Sequence, residues 1–573
     1  MLFRSRCDIW TGTDVAGPNS LHAAIARESM ITHPPAAPHS LRGPSSLSST
    51  ARGILPARPA PPVLTAAAIC LGILAVAVVS SPECLHWFAI PVFACGVVCC
   101  TDALCLFSDN GRHLFRPIPL LGAFGVYFFF VAPLLHVVSD YWFTSAPWAP
   151  KDVPEDWRPW LGLMAMINLA GLGVYRALRG PFTRLFVRTQ SRVFRALDPR
   201  TAYTYAVPFL AITLSLQIYI YFRMGGISAY IGSFSRNANG RASDFDGFGW
   251  LFCIAAGFPN IVAIVGTILF QRYRGRMGTL RLTVSMAVMF ALVLLFGGLA
   301  GSRGNIIYAI AYILGLVHLT IMPLPKKWVI GGALLGVGFM YVYGFYKVNP
   351  YLFSDPSEFL RTLVVSDSRG QLEHKSRRSM DALLFGDLGR SDVQAYLLYR
   401  MLHTSSSIEY AYGRTYIETA IDFIPYDISG YRLPSKLLYG TDAVYGPGTY
   451  SGARKSLQIY GLAGETMLNF GPFSAPMGFI VLAAVVGFAQ ALSLGLPTTD
   501  RRRYIVPLTS VGCIVVLACD LDNVIFFFLQ HGLVPFLFIM LCSRSVARRA
   551  VDGPTVRHLD ATRPSLATAR GHL

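Results

Sequence analysis

The chain carries a succession of apolar runs about as long as a bilayer is thick. We place about twelve of them, over residues 62–81, 86–107, 116–138, 159–176, 204–222, 249–270, 281–300, 304–322, 328–346, 473–495, 504–519 and 523–542. Runs of this length and apolarity are what a membrane-spanning helix needs. Lipid satisfies no backbone N–H or C=O, so a spanning segment must be a helix or part of a closed barrel. The alternating segments of about ten residues that a barrel requires are absent from the sequence. Charge agrees: only 14% of the 573 residues are charged, against about 25% in soluble domains. The expected fold class is therefore an all-α polytopic membrane protein with about twelve transmembrane helices.

The arginines then orient the layout. Cytoplasmic connections of membrane proteins are enriched in Lys and Arg. The connection 177–203 holds Arg179, Arg184, Arg188, Arg192, Arg195 and Arg200 against Asp198 alone. Arg272, Arg274, Arg276 and Arg281 follow in the next connection of the same parity, then Lys326 and Lys327, then Arg501, Arg502 and Arg503, and finally Arg544, Arg548 and Arg549. All fall on one face, with both termini, which places the termini in the cytoplasm. The longest connection, 347–471, has 13 basic and 13 acidic residues and falls on the opposite face. The formal charge of +18 thus follows from topology and the anionic leaflet, and nucleic acid is not an expected partner. The expected organisation is a disordered basic cytoplasmic tail over 1–61, nine helices over 62–346, a long extracytoplasmic loop with short helices over 347–471, three helices over 472–543, and a basic cytoplasmic tail over 544–573. Most of the eleven cysteines lie within apolar runs and none lies in the long loop, so no disulfide framework is expected. Neither a His-rich tract nor a metal-binding spacing occurs, and no metal or cofactor is expected.

Three polar concentrations fall on the extracytoplasmic side. Residues 225–250, GGISAYIGSFSRNANGRASDFDGFGW, hold Arg236 and Arg241. Glycine lets a backbone approach a ligand closely, and arginine pairs suit a bidentate phosphate. Residues 412–425, YGRTYIETAIDFIP, repeat Arg414, Glu418 and Asp422 at helical spacing, with Tyr416, Thr419, Ala420 and Phe423 on a face suited to the membrane interface. Arg432 and Lys436 follow. Residues 461–472, GLAGETMLNFGP, put Glu465 and Asn469 on one helical face just before an apolar run. A carboxylate and an amide entering a membrane there are costly unless they face a cavity. A fourth position, Arg303, stands in the turn between the seventh and eighth runs. An arginine snorkelling at a helix end is its plain alternative. Together the set offers arginines for a diphosphate, carboxylates or His403 for a base, and aromatics for sugar rings. An enzyme on that face has no nucleotide-sugar supply, so an activated donor carried by a lipid is the consistent substrate.

These residues resemble a known family. The order of GG with a following tyrosine and arginine, the GSRG turn, Tyr412-Gly413-Arg414-Thr415-Tyr416, Ile424-Pro425, Lys436, and Glu465 with Asn469 and Gly471 is similar to the oligosaccharide repeat unit polymerases, the Wzy-type O-antigen and exopolysaccharide polymerases. The likeness runs over roughly residues 204–542 and rests on sparse motifs. Two positions depart from it: Tyr426 stands where an arginine is usual, and Leu437 follows Lys436 where a proline is usual. The resemblance implies a metal-independent, GT-C-like helical glycosyltransferase in the bacterial plasma (inner) membrane. Its donor and acceptor would be glycans on undecaprenyl diphosphate, and a chain-length regulator is a candidate partner. It implies Glu465, Asp422 or His403 as the base, in that order. Arg303, Arg236, Arg241, Arg414, Arg432, Lys436, Asn469 and Tyr416 would bind diphosphate and glycan. The rivals are an O-antigen ligase, which uses the same donor, and a twelve-span transporter or lipid-linked oligosaccharide flippase. A transporter of two six-span halves would place its long connection inside and near the middle, whereas here it follows the ninth run.

Overall fold

The computed structural model describes residues 62–106, 114–143, 150, 152–190, 193–197, 199–227, 230, 249–272, 279–298, 303–348, 379–403, 408–421, 436–451, 458–496 and 500–547. The expected tails over 1–61 and beyond 547, and the Arg236–Arg241 stretch, lie outside these residues.

Eight helices are long and apolar enough to cross a membrane: Pro62–Ser80, Ala89–Leu106, Pro117–Ser139, Arg158–Thr189, Arg200–Arg223, Trp250–Gln271, Pro472–Gly495 and Leu521–Leu541. The other four expected runs are also helical but shorter, with apolar cores at Val284–Phe296, Ile306–Ile321 and Ile330–Phe345 and the helix Val506–Ala518. The protein is therefore a helical, polytopic membrane protein.

In chain order the bundle opens with α1 (Pro62–Ser80) and α2 (Ala89–Ala103). Next come α3 (Pro117–Val126) and α4 (Ala132–Ser139), joined through a π-turn at Tyr127–Val131. The helix α5 (Arg158–Gln190) has 33 residues. At 1.5 Å per residue it is roughly 50 Å long, more than a hydrocarbon core of about 30 Å, so its last turns, with Arg184 and Arg188, stand clear of the lipid. A strand, β1 (Val193–Leu197), and α6 (Pro199–Arg223) follow. The next run is broken into α7 (Gly249–Ala255) and α8 (Gly257–Arg272), where Gly257 meets Val534: a Cβ there would lie 2.6 Å from the Val534 Cβ. Then come α9 (Thr279–Val293), α10 (Arg303–Leu316) and α11 (Lys326–Val348).

The long connection carries α12 (Ser391–His403), α13 (Arg414–Ile421), α14 (Lys436–Tyr445) and α15 (Gly461–Phe470). The chain re-enters the bundle through α16 (Ala475–Gly495) and α17 (Val506–Ala518). The last run is α18 (Leu521–Phe528), a π-turn at Leu529–Leu533 and α19 (Val534–Leu541), followed by β2 (Ser543–Ala547).

One helix pair organises the core. α16 lies along α5 so closely that a Cβ at Gly487 would sit 2.6 Å from the Phe182 Cβ. Phe186 and Phe488 meet edge-on at 5.6 Å further along the same seam. Glycine is needed at residue 487, because interiors are close-packed and an extra methyl has no room.

The two ends of the bundle differ. At one end Asp102 receives Arg176 at 3.1 Å and Arg179 at 2.5 Å. Asp500 pairs with Arg502 at 2.8 Å and accepts the Arg195 N–H at 3.2 Å. Arg501 donates to Gln271 at 3.2 Å. The strands β1 and β2 pair antiparallel at this end, from Val193 with Ala547 to Leu197 with Ser543. This short ribbon is an addition to an otherwise helical fold. Both of its segments are short, outside the apolar runs and rich in β-branched or small residues, and the helical period that identified the spans says nothing about them. At the other end Trp142 stacks on Trp157 at 4.6 Å, and Arg400 pairs with Asp152. There α12 is built into the head of the bundle, with Ser391 to Met401 buried throughout. The basic residues and the loop helices thus occupy opposite ends, the separation the arginine alternation requires.

Candidate functional site

The loop end gathers α13, α14, α15 and the turn between α17 and α18 into one polar group. Gly461 begins it. Its φ of 72° is a left-handed conformation that favours glycine. This bend turns two successive amides onto one carboxylate: Asp520 Oδ1 accepts the Tyr460 N–H at 2.9 Å and the Gly461 N–H at 2.7 Å. Gln394 of α12 donates to the Tyr460 carbonyl at 2.9 Å and fixes the bend from behind.

The second oxygen of Asp520 accepts from Lys436 Nζ at 2.7 Å, and Lys436 also reaches Asp522 at 2.7 Å. The Asp520 side chain is fully buried and that of Lys436 nearly so, whereas that of Asp522 is 42% exposed. Burial works against the Lys436 ammonium, but Asp520 and Asp522 outweigh it and raise its pKa above the usual lysine value.

One turn along α15 stands Glu465, 3% exposed. Its Oε2 accepts the Leu521 N–H at 2.7 Å and its Oε1 accepts the Thr415 hydroxyl at 3.2 Å. Burial, and then the neighbouring Asp520, push its pKa up to about 8. Asn469, fully buried, lies one turn on. Its amide donates to Thr415 Oγ1 at 2.7 Å and to the Glu465 carbonyl at 2.9 Å. Its Oδ1 accepts the Gly413 N–H at 2.9 Å. The backbone adds Ala411 N to the Leu468 carbonyl at 3.0 Å and Tyr412 N to the Asn469 carbonyl at 2.9 Å. The segment Ala411–Thr415 is therefore tied to α15 along its whole length.

The expected site residues distribute as follows. Glu465, Asn469 and Lys436 come together in this group. Tyr416 is half-buried beside it, with its hydroxyl 3.4 Å from Thr466 Oγ1 and its ring centroid 6.2 Å from that of Phe470. Burial and Glu465 push the Tyr416 phenol up to about 12. Arg414 stands at the rim, its side chain 53% exposed, donating to the Tyr439 hydroxyl at 3.2 Å. His403 closes α12 at a different place, with its ring stacked on Tyr399 at 5.1 Å. Arg303 is the first residue of α10; its side chain lies outside what is described. Arg236, Arg241, Asp422 and Arg432 also lie outside the described residues.

Two parts of the expectation change. Arg414 faces outward while Glu418 is buried, and Thr419, expected on the face toward the membrane interface, is buried with it, so the helical spacing does not mark one charged face. Glu465, ranked first as a base, is buried with both carboxylate oxygens engaged, and in this conformation it ties Thr415 to the turn at Leu521. Sequence reasoning also missed Asp520 and Asp522. Their signal was available: two carboxylates between the apolar runs 504–519 and 523–542 are costly unless partnered. Comparison with family models, with curated proteins and with solved structures finds no match.

Proposed function

We propose that the chain is a membrane glycosyltransferase of the oligosaccharide repeat unit polymerase kind. In this reading it has twelve spans, a GT-C-like architecture, cytoplasmic termini and a loop end on the outer face of a bacterial plasma membrane. It joins repeat units carried on undecaprenyl diphosphate. The observation that carries the reading is the union of two motifs. Tyr412–Tyr416 and Glu465–Asn469, two of the motifs that together carry the resemblance, are bonded to each other through Thr415, with Lys436 in the same group. A motif pair that meets at one polar site, at the end of a bundle away from its arginine-rich face, fits chemistry on a lipid-carried donor at the membrane surface.

The reaction follows from the chemistry of that donor. The acceptor hydroxyl oxygen bonds to the anomeric carbon, the carbon–oxygen bond to the diphosphate breaks, and the diphosphate leaves with the electron pair. Arg414 at the rim, with Arg303, Arg236, Arg241 and Arg432, would stabilise that charge by preorganised donors. The hydroxyl proton passes to a base that must come within about 2.6–3.2 Å of it. Asp522 is the carboxylate of the group that is open to solvent, and we assign the base to it ahead of Glu465, Asp422 and His403. Glu465 and Asn469 hold the segment that carries Arg414, and Tyr416 lines the approach.

Purified protein in vesicles, given a lipid-linked repeat unit, tests the reading. A ladder of lengthened lipid-linked glycans is expected, with loss of the ladder in Asp522→Asn. Transfer to a different acceptor without lengthening would identify a ligase, and movement of the lipid-linked unit across the vesicle wall without new bonds would identify a flippase.

A further inference from the structure

The helix α13 is folded inside out. Its polar residues Thr415, Glu418 and Thr419 are buried against the protein. Its apolar residue Ile417 is 54% exposed, and Ala420 is exposed beside it. In water this arrangement would be unfavourable, because an exposed short helix turns its apolar stripe inward. The tether to Asn469 and Glu465 fixes the rotation of the helix, so the apolar face points outward by construction.

What lies next to that face is equally apolar. Tyr412 is 71% exposed at the head of the helix. A side chain at Gly413 would touch the Phe470 ring at 3.7 Å. From Phe470, 47% exposed, a stripe continues down the re-entering chain through Phe473 at 73% and Met477 at 59%. Phe473 and Met477 belong to the Pro472–Gly495 helix, one of the eight that are long and apolar enough to cross the membrane. The exposed surface of a helix that crosses the membrane meets lipid, and Phe470 joins that surface to α13 through Gly413 and Tyr416.

We propose that Tyr412, Ile417, Ala420, Phe470, Phe473 and Met477 form one surface immersed in the hydrocarbon of the bilayer leaflet at the loop end. The occupant of this surface is lipid acyl chain. α13 is then an interfacial foot, a helix lying in the membrane surface. Arg414 at its first turn, half-exposed, reaches the headgroup layer by the stretch of its long side chain. This inference rests on the membrane reading of the eight helices and is independent of the reaction proposed above.

Depth-dependent quenching tests it. Single cysteines replace Ile417 or Ala420 in a full chain whose eleven native cysteines are changed to Ser or Ala, and carry an environment-sensitive fluorophore. Met477→Cys is the lipid-facing reference and Glu409→Cys, whose native side chain is 78% exposed, the water-facing one. The proteins are placed in phosphatidylcholine and phosphatidylglycerol vesicles containing spin-labelled acyl chains, and separately exposed to aqueous iodide. Quenching of both foot positions by the labelled lipid at a level comparable to Met477, with weak quenching by iodide, is the expected result. Iodide quenching at the level of Glu409 would overturn the proposal by placing the face in water. Quenching by neither agent would overturn it too, since the face would then be covered by protein, such as a second copy of the chain. If Ile417→Cys fails to fold, Ala420→Cys reads the same face.

Discussion

Thr415 and Asn469 share a 2.7 Å hydrogen bond across 54 residues of chain. The Thr415 hydroxyl in turn donates a hydrogen bond to Glu465, so the three side chains form one buried chain of hydrogen bonds. Three expectations follow from this relation and from the ion pairs beside it, and a fourth concerns Arg303.

Asn469→Ala removes the partner of Gly413 N–H and of Thr415 at once. A buried donor left unpaired costs about 1–3 kcal/mol, so the Ala411–Thr415 segment should detach before the bundle unfolds. Limited proteolysis of purified protein should cut there in the variant and spare the wild type. Equal resistance in the two proteins would show that the backbone bonds to Leu468 and Asn469 suffice.

Lys436→Ala strands Asp520 in a fully buried site beside Asp522. Breaking a buried pair from one side costs about 3–5 kcal/mol, and thermal unfolding in detergent should start well below the wild-type midpoint. Lys436→Met combined with Asp520→Asn should recover part of the loss, since neither partner is then left charged. A double variant no better than Lys436→Ala would mean that the amides of Tyr460 and Gly461 require the carboxylate itself.

Glu465 gives a pH dependence of defined sign. Its pKa in the folded protein is raised from the ordinary carboxylate value of 4.5 to about 8. The folded state therefore holds a proton there that the unfolded chain has released. Stability from this proton is complete below the unfolded pKa and is lost as pH rises through about 8. The unfolding midpoint of the loop end should fall across this window. Glu465→Gln, which mimics the protonated acid, should flatten the profile, and should keep glycan lengthening if Glu465 only holds the loop. An unchanged pH profile in that variant would assign the dependence to another group.

Arg303→Lys keeps the charge and loses the planar fork. Loss of one directed contact to a leaving diphosphate costs about 2.7–4 kcal/mol, or about 10²–10³ in rate, by analogy with an oxyanion donor. Polymer should fall by that factor at a normal protein level in cells. A full ladder from Arg303→Ala would make it a snorkelling side chain.

Much of the architecture could be read from the chain because the bilayer enforces it. Apolar length marks a span, and the arginines mark one end, so the placement of Arg501–Arg503 opposite Lys436 needed no tertiary knowledge. Site residues were legible where a motif held them in one turn, as with Glu465 and Asn469. Their partners were not. Asp520 meets Lys436 across 84 residues, and such a pairing leaves no periodic trace. The inward turn of Glu418 was equally hidden, since helical spacing identifies a face but not what the face looks upon. The ribbon between β1 and β2 escaped because five residues are too few for a pattern.

That ribbon bears on how the protein is made. Val193 pairs with Ala547, so a segment near the first third of the chain waits for its partner until almost every span has been inserted. This end of the bundle can close only once Ser543–Ala547 has been made. A chain arrested before Ser543 would present an unpaired strand edge beside Asp500, a mark that distinguishes it from a copy that has made its second strand.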